Sequence, residues 1–238
     1  MTIKTRGEKI ERSEPARKGA ATLSTTVYQE LRADLLAGRL KPGEKLRAEA
    51  LGQRFSIASS PIREALNRLV SEGFVLLEDQ KGFRVAPVSE SELRELVRAR
   101  CWIDGAAITE SIKEFDVAWE EALVLALHRL SRVSRWAAAG TGTPDPAWEQ
   151  LHREFHRTLV AGCGSRWIRR ISEQLFDAAE RYRLLAAEHI PERNELDEHK
   201  AIVDACLARD APAAVKLLEA HYGMTFSVIM ESPNAPEQ

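Results

Sequence analysis

The sequence predicts a mainly α-helical protein, an N-terminal winged helix-turn-helix followed by an all-helical bundle of six or so helices. Two observations predict it. Between Ser89 and Met230 apolar residues recur every three or four positions without strand-like alternation, the pattern of helices packed side by side. Before Ser89, three shorter helical stretches precede two short apolar runs around a polar turn, the order of a helix-turn-helix and its wing.

Local chemistry justifies each element in turn. Residues 1–19 mix Lys, Arg and Glu and read as a flexible basic arm, without the apolar centre of a secretory signal. Within the winged region, 20–87, Val27, Leu31, Leu35 and Leu36 give residues 25–37 one apolar face. Gly38 then stops the helix, and Pro42-Gly43 turns the chain. A second helix spans about 48–55, with Leu51 and Phe55 inward. The third starts near Pro61, whose missing N–H costs nothing in a first turn, behind Ser59 and Ser60. Its Ile62, Leu66 and Leu69 share a buried face that leaves Arg63, Asn67 and Arg68 outside. Two wing strands, 74–77 and 82–85, flank the turn Glu78-Asp79-Gln80-Lys81.

That third helix has the chemistry a DNA groove selects, because a helix N-terminus suits phosphate and Arg and Asn suit base edges. The charge distribution agrees. Residues 1–86 hold 16 Lys and Arg against 11 Asp and Glu, and the remainder 18 against 25, a split hidden by the overall charge of −2. A basic front and an acidic back fit a DNA-binding domain joined to one that stays off DNA. At 238 residues and 44% hydrophobic, the chain has room for one small and one larger core. It has no uncharged apolar run of about 18 residues, so no membrane span is expected and the cytoplasm is the expected location. Cys101, Cys163 and Cys206 are widely spaced and read as buried small side chains, not as a disulfide framework.

The second region covers 88–231, with 232–238 as a tail. Ser89 and Glu92 form a capping box for a helix to about 113. Further helices are expected over 116–139, 146–161, 165–188, 195–209 and 211–230, separated by Gly/Thr/Pro-rich 140–146, Gly162-Cys163-Gly164 and the turn 191–194. His152 and His156 lie one helical turn apart, which lets two imidazoles reach one metal ion. His128 and His189 read as ordinary surface or core residues. Enzyme signatures fail on inspection: a zincin needs Glu after its first His, and Arg153 stands there. Glu149 and His152 make one half of a di-iron carboxylate set, but Leu196, three residues before His199, denies the second half. No Ser or Cys pairs with a base. The expectation is therefore a protein that is not an enzyme, with a metal-dependent helical-bundle hydrolase acting on a small acid as the alternative.

The motifs Pro61-Ile62-Arg63-Glu64-Ala65-Leu66, Glu72-Gly73-Phe74-Val75 and Lys81-Gly82-Phe83-Arg84-Val85 resemble the N-terminal domain of GntR-type bacterial transcription regulators. The resemblance implies that Ser60 and Arg63 contact phosphate and base, and that Gly82 lies at a wing tip entering the minor groove. Asn67 shares the polar face. Ser59 stands where the family usually has Arg, which leaves Arg63, Arg47 or the basic arm to compensate. Farther on, the Phe155-His156 step, Glu198-His199-Lys200-Ala201-Ile202-Val203 and Glu219-Ala220-His221 resemble the FCD sensor domain of the FadR subfamily. There, an Asp and three His bind a divalent metal, commonly zinc or nickel, and a small carboxylate effector often completes the coordination. His152 takes the place of that Asp, so the resemblance implies a site of four imidazoles, His152, His156, His199 and His221. Losing one carboxylate makes it about one charge more positive, attractive to an anion and suited to zinc, with nickel possible, over magnesium or calcium. Arg100 matches the family Arg that clamps a carboxylate, Asp104 stands for the usual Glu, and Arg181, with Tyr182 and Arg183, is a further pocket candidate. The strings Val160-Ala161-Gly162-Cys163-Gly164-Ser165 and Leu175-Phe176-Asp177 look most like carbon-starvation-induced regulators of glutarate utilisation, which implies a small dicarboxylate. The expected protein is a homodimer on double-stranded operator DNA, by the family's commoner polarity a repressor, that releases DNA when an effector reaches the metal.

Overall fold

The computed structural model describes residues 16–114, 116–137, 144–187, 193–232 and 235–236. Most of the expected arm, His189, most of the 140–146 connection and half of the 191–194 turn lie outside the described residues.

The first unit is α1 (Ala16–Leu36), β1 (Lys45–Leu46), α2 (Ala48–Phe55), α3 (Ser59–Ser71), β2 (Val75–Glu78) and β3 (Gly82–Val85). Its sheet has the order β1-β3-β2, antiparallel throughout, with Leu46 opposite Phe83 and Val75 opposite Val85. Strand β1 was not expected, because two residues are too few to show an alternation. Helix α1 includes residues 16–19, which were expected in the arm. Helix α3 begins two residues ahead of Pro61, and the proline still falls in the first turn, where its missing N–H leaves no bond unmade. Between α2 and α3 the chain turns tightly: Ser56 is left-handed at φ 56°, and a Cβ on Gly52 would lie 2.9 Å from the Ile57 carbonyl oxygen. Leu31, Ile62, Leu66, Leu69, Phe74 and Val85 form the core beneath.

The second unit packs α4 (Glu90–Glu114), α5 (Val117–Ser131), α6 (Pro146–Leu159), a 3-10 turn (Ala161–Cys163), α7 (Arg166–Leu185), α8 (Glu195–Leu207) and α9 (Ala211–Met230). Asp116, Asp145, Ser165 and Asp210 cap α5, α6, α7 and α9 by accepting from backbone N–H groups. At α4 the Ser89 hydroxyl accepts from the Glu92 N–H at 3.1 Å. The reciprocal half of the capping box is rerouted through α7, since the Tyr182 hydroxyl accepts from the Ser89 N–H and donates to the Glu92 carboxylate. Helix α5 ends at Ser131, well before the expected 139, because tertiary contacts claim Arg135. Its carbonyl accepts from the Asp145 N–H at 2.8 Å and its guanidinium is paired with Glu195 of α8, a placement that a continued helix would forbid. Gly162 is needed where a Cβ would sit 3.1 Å from Ser111 of α4. Ile108, Leu123, Phe155, Leu159, Ile202 and Leu218 fill the bundle core. The three cysteines are free thiols, and burial pushes that of Cys206 up to about 12.

Helix α7 belongs to both units. Its Asp177 pairs with Arg32 of α1 at 2.8 Å, and a Cβ on Gly38 would meet its Leu185. No described helix is long and apolar enough to cross a membrane.

Candidate metal and DNA-binding sites

Helices α6, α8 and α9 each turn histidine toward one point. Position 152 and position 156 share a face of α6, and His199 of α8 and His221 of α9 meet them from across the bundle. One nitrogen from each of the four lies within 4.8 Å of the others, and all four side chains are buried. Nε2 of His152 and Nε2 of His156 are 3.1 Å apart; the His199 and His221 ring centres are 4.7 Å apart. Trp148 stacks on His152 at 4.6 Å, and Phe155 lies 4.7 Å from His199, so the rings are fixed by packing.

Electrostatics keep these rings neutral. Burial first, and then the neighbouring imidazoles, push His152 and His156 well below the usual histidine range; burial and His221 do the same to His199. Burial also lowers His221, against the opposing hydrogen bond to Glu198. That bond, 2.8 Å from Nδ1 to the carboxylate, fixes the tautomer that leaves Nε2 with a lone pair. Burial alone would raise the Glu198 carboxyl, but hydrogen bonds from Arg193 and His221 hold it at about 2. Nδ1 of His152, Nδ1 of His156 and Nε2 of His199 are buried with no hydrogen-bond partner. Buried polar atoms in a native core are nearly always partnered. Neutral imidazoles with unused lone pairs, gathered at one point, fit a divalent ion of the zinc and nickel class.

Beside the histidines is a cavity of about 30 Å³, lined by Arg100, His152, His156, His221, Phe176 and Arg183 among others. The Arg100 guanidinium lies 3.9 Å over the Tyr222 ring and 3.6 Å from Asp104, whose carboxylate accepts from the Tyr222 hydroxyl at 2.7 Å. That 3.6 Å contact is made by Nε and is too long for a hydrogen bond, so Asp104 pairs with Arg100 only loosely, and Arg100 also lines the cavity. Arg181 is placed elsewhere. Its guanidinium donates to the Ala86 carbonyl at 2.5 Å, in the connection between the units, so it does not line the cavity. Two residues along the helix, Arg183 does line it, held by Glu149 of α6 through two hydrogen bonds. The 3.6-residue turn separates the two arginines by about 200°, and the apolar pattern of α7 could not say which side faces in. Glu149, Glu198 and Arg193 were not expected at the site. Glu198 directly precedes His199, but only the contact with His221, made across helices, gives it a role.

The other candidate surface is on the winged unit. Arg47, Ser60, Arg63 and Asn67 are exposed, Ser59 and Gly82 half-buried. Arg63 is tethered loosely to Glu49, at 3.5 Å between exposed side chains. Gly82 has φ 83° and Gln80 φ 59°, so the wing turn is built from left-handed residues. Arg68, expected on the same polar face, instead lies 3.8 Å over the Tyr28 ring and ties α3 to α1.

Comparison with known proteins agrees with this division. Residues 23–85 match the family "Bacterial regulatory proteins, gntR family", and residues 95–224 match the FCD domain. The chain is 36% identical over 211 residues to the uncharacterized HTH-type transcriptional regulator BphR of Paraburkholderia xenovorans (strain LB400), covering 88% of this chain and 86% of that protein. It is 33% identical over 212 residues to the HTH-type transcriptional repressor GlaR of Escherichia coli (strain K12), covering 86% and 94%. The solved structure of E. coli McbR/YncC has the same fold, with a TM-score of 0.69 at 21% identity over 88% of this chain and 97% of that one. These are regulators and not enzymes, and the chain belongs to the GntR family of bacterial transcription regulators, with the FadR-like architecture of a winged helix-turn-helix followed by an FCD domain.

Proposed function

We propose that this regulator is a homodimeric repressor, released from operator DNA when a small carboxylate reaches the four-histidine site. One observation carries the reading: four buried, neutral imidazoles, three of them with a nitrogen that has no hydrogen-bond partner, converge on one point beside the buried guanidinium of Arg100. His152, His156, His199 and His221 would hold the metal, zinc by preference and nickel as the second choice. When bound, the ion supplies the positive charge that an anion completes. Arg100 offers the donor that orients a carboxylate, and Glu198 orients the His221 ring. The GlaR relative is named a repressor, which supports the same polarity here.

Helix α7 supports the coupling. Phe176, Ala179, Glu180 and Arg183 line the cavity, while Asp177 and Arg181 of the same helix hold Arg32 and the Ala86 carbonyl of the DNA-binding unit. A ligand that shifts α7 therefore moves contacts in both units. Arg47, Ser59, Ser60, Arg63, Asn67 and Gly82 form the proposed DNA surface, and two such small faces on one duplex explain why a dimer is needed.

The deciding experiment is titration of operator release by small acids, using metal-loaded protein. Arg100→Ala should still bind operator but need far more acid to let go, since coupling acts only through differential binding. His152→Asp should keep metal and weaken the response by placing a negative charge beside the anion. Release at the parent's concentration in both variants would sink the effector site. Separately, Arg63→Ala should weaken operator binding by roughly 1–3 kcal/mol with the fold intact, and parent binding should fall steeply with salt. A salt-independent binding curve would remove phosphate contacts from the account.

A further inference from the structure

The cavity beside the histidines has room for about one carboxylate-sized group, not for a whole acid. The remainder of a ligand needs somewhere to go. His156 and Phe176, in the wall of that cavity, also line a cleft of about 620 Å³ between α6 and α7. Its rim carries Arg153, Arg157, Arg166, Arg169 and Arg170 against only Glu154 and Glu173. Arg153 is committed to Asp177 and Glu180, Arg157 to Glu173 at 2.7 Å, and Glu154 to Arg129 at 3.3 Å. Arg169 and Arg170 are exposed neighbours with no ion pair among the described residues, so the cleft keeps a positive balance that no described acidic side chain neutralises. Like charges confined on one rim repel, and an anion between them relieves the repulsion.

We propose that this cleft is a second anion subsite, continuous with the histidine site, in which Arg169 and Arg170 select an acid carrying two negative groups over a monoacid. The inference rests on the effector reading above. The inner carboxylate sits by the histidines and Arg100; the chain passes Phe176; the outer negative group lies between the two arginines. A monoacid reaches the inner position but leaves the outer arginines without a partner, so it gains nothing from them. Because the outer pairs are exposed, their combined effect is about tenfold in affinity and shrinks with salt.

The test is calorimetric titration of zinc-loaded, full-length protein with straight-chain dicarboxylates from malonate to adipate and monocarboxylates from propionate to hexanoate. The parent should prefer the best dicarboxylate over the monoacid of the same length by about tenfold. In Arg169→Ser/Arg170→Ser, dicarboxylate affinity should fall by about that factor, with monoacid affinity, zinc content and helicity unchanged. A preference retained in the double variant, or an equal loss for both acid classes, overturns the subsite and leaves the histidine site standing. Failure of every acid to bind the parent overturns the effector reading, and the subsite with it.

Discussion

Stripping the metal should lower the melting temperature of the purified protein by many degrees and make its stability steeply acid-sensitive. A ligand that binds only the folded chain, at a thousandfold excess over its dissociation constant, adds about 4 kcal/mol. The metal-free protein also keeps three buried histidine nitrogens without partners, a further cost to the fold. The pH dependence has a fixed sign. Histidines of the unfolded chain take up protons near pH 6.5, whereas His152, His156, His199 and His221 resist protonation in the fold because burial pushes all four down. Above pH 6.5 both states are neutral and nothing is lost. As pH falls below that value the unfolded state alone gains protons, and stability drops by up to ~1.4 kcal/mol per pH unit per histidine until the folded values are reached. Metal-loaded protein resists this until protons displace the ion. Melting curves across pH 5 to 8, with and without chelator, check both statements; superimposable curves would exclude a bound metal. The double variant His156→Ala/His199→Ala should lose the chelator effect while staying helical, since the apolar core around Phe155, Ile202 and Leu218 is untouched.

Glu149→Ala should destabilise the second unit by about 3–5 kcal/mol, because it strands a buried guanidinium. Arg183 is 7% exposed, with two hydrogen bonds to Glu149, one of 2.8 Å, and only a distant second carboxylate, Glu180 at 3.9 Å, which Arg153 already holds. Replacing the pair by apolar groups removes the charge together with its partner. Glu149→Leu/Arg183→Met should accordingly recover much of the loss seen in Glu149→Ala. Denaturant unfolding of the two variants and the parent reads the difference directly. A double variant weaker than the single would show that the pair stabilises beyond satisfying its own burial.

Much of the fold was legible because its helices carry unambiguous punctuation. Pro146 and Pro212 in first turns, the Asp and Ser caps, and Gly164 after the 3-10 turn mark boundaries that a reader of the chain can place within a few residues. The end of α5 was not legible, since residues 132–139 have helical propensity and only the docking of Arg135 against Glu195 and Asp145 breaks the helix. The pair at positions 152 and 156 is visible in spacing alone. That His199 and His221 join it came from resemblance, because no local pattern tells a residue on one helix which histidine faces it from another. Arg181 and Arg183 show the same limit: periodicity allowed both, and the backbone carbonyl of Ala86 decided between them.

The connection after the wing is stapled at two points, by Arg181 on the Ala86 carbonyl and by the Tyr182 hydroxyl on the Ser89 N–H. A tether fastened this way is a ruler and not a leash. In a dimer, the separation of the two reading heads would be set by the sensor bundle and not searched by flexible arms. Operators with half-sites moved apart by a few base pairs should then lose most of their affinity, because half a helical turn of DNA rotates the second site to the far side of the duplex.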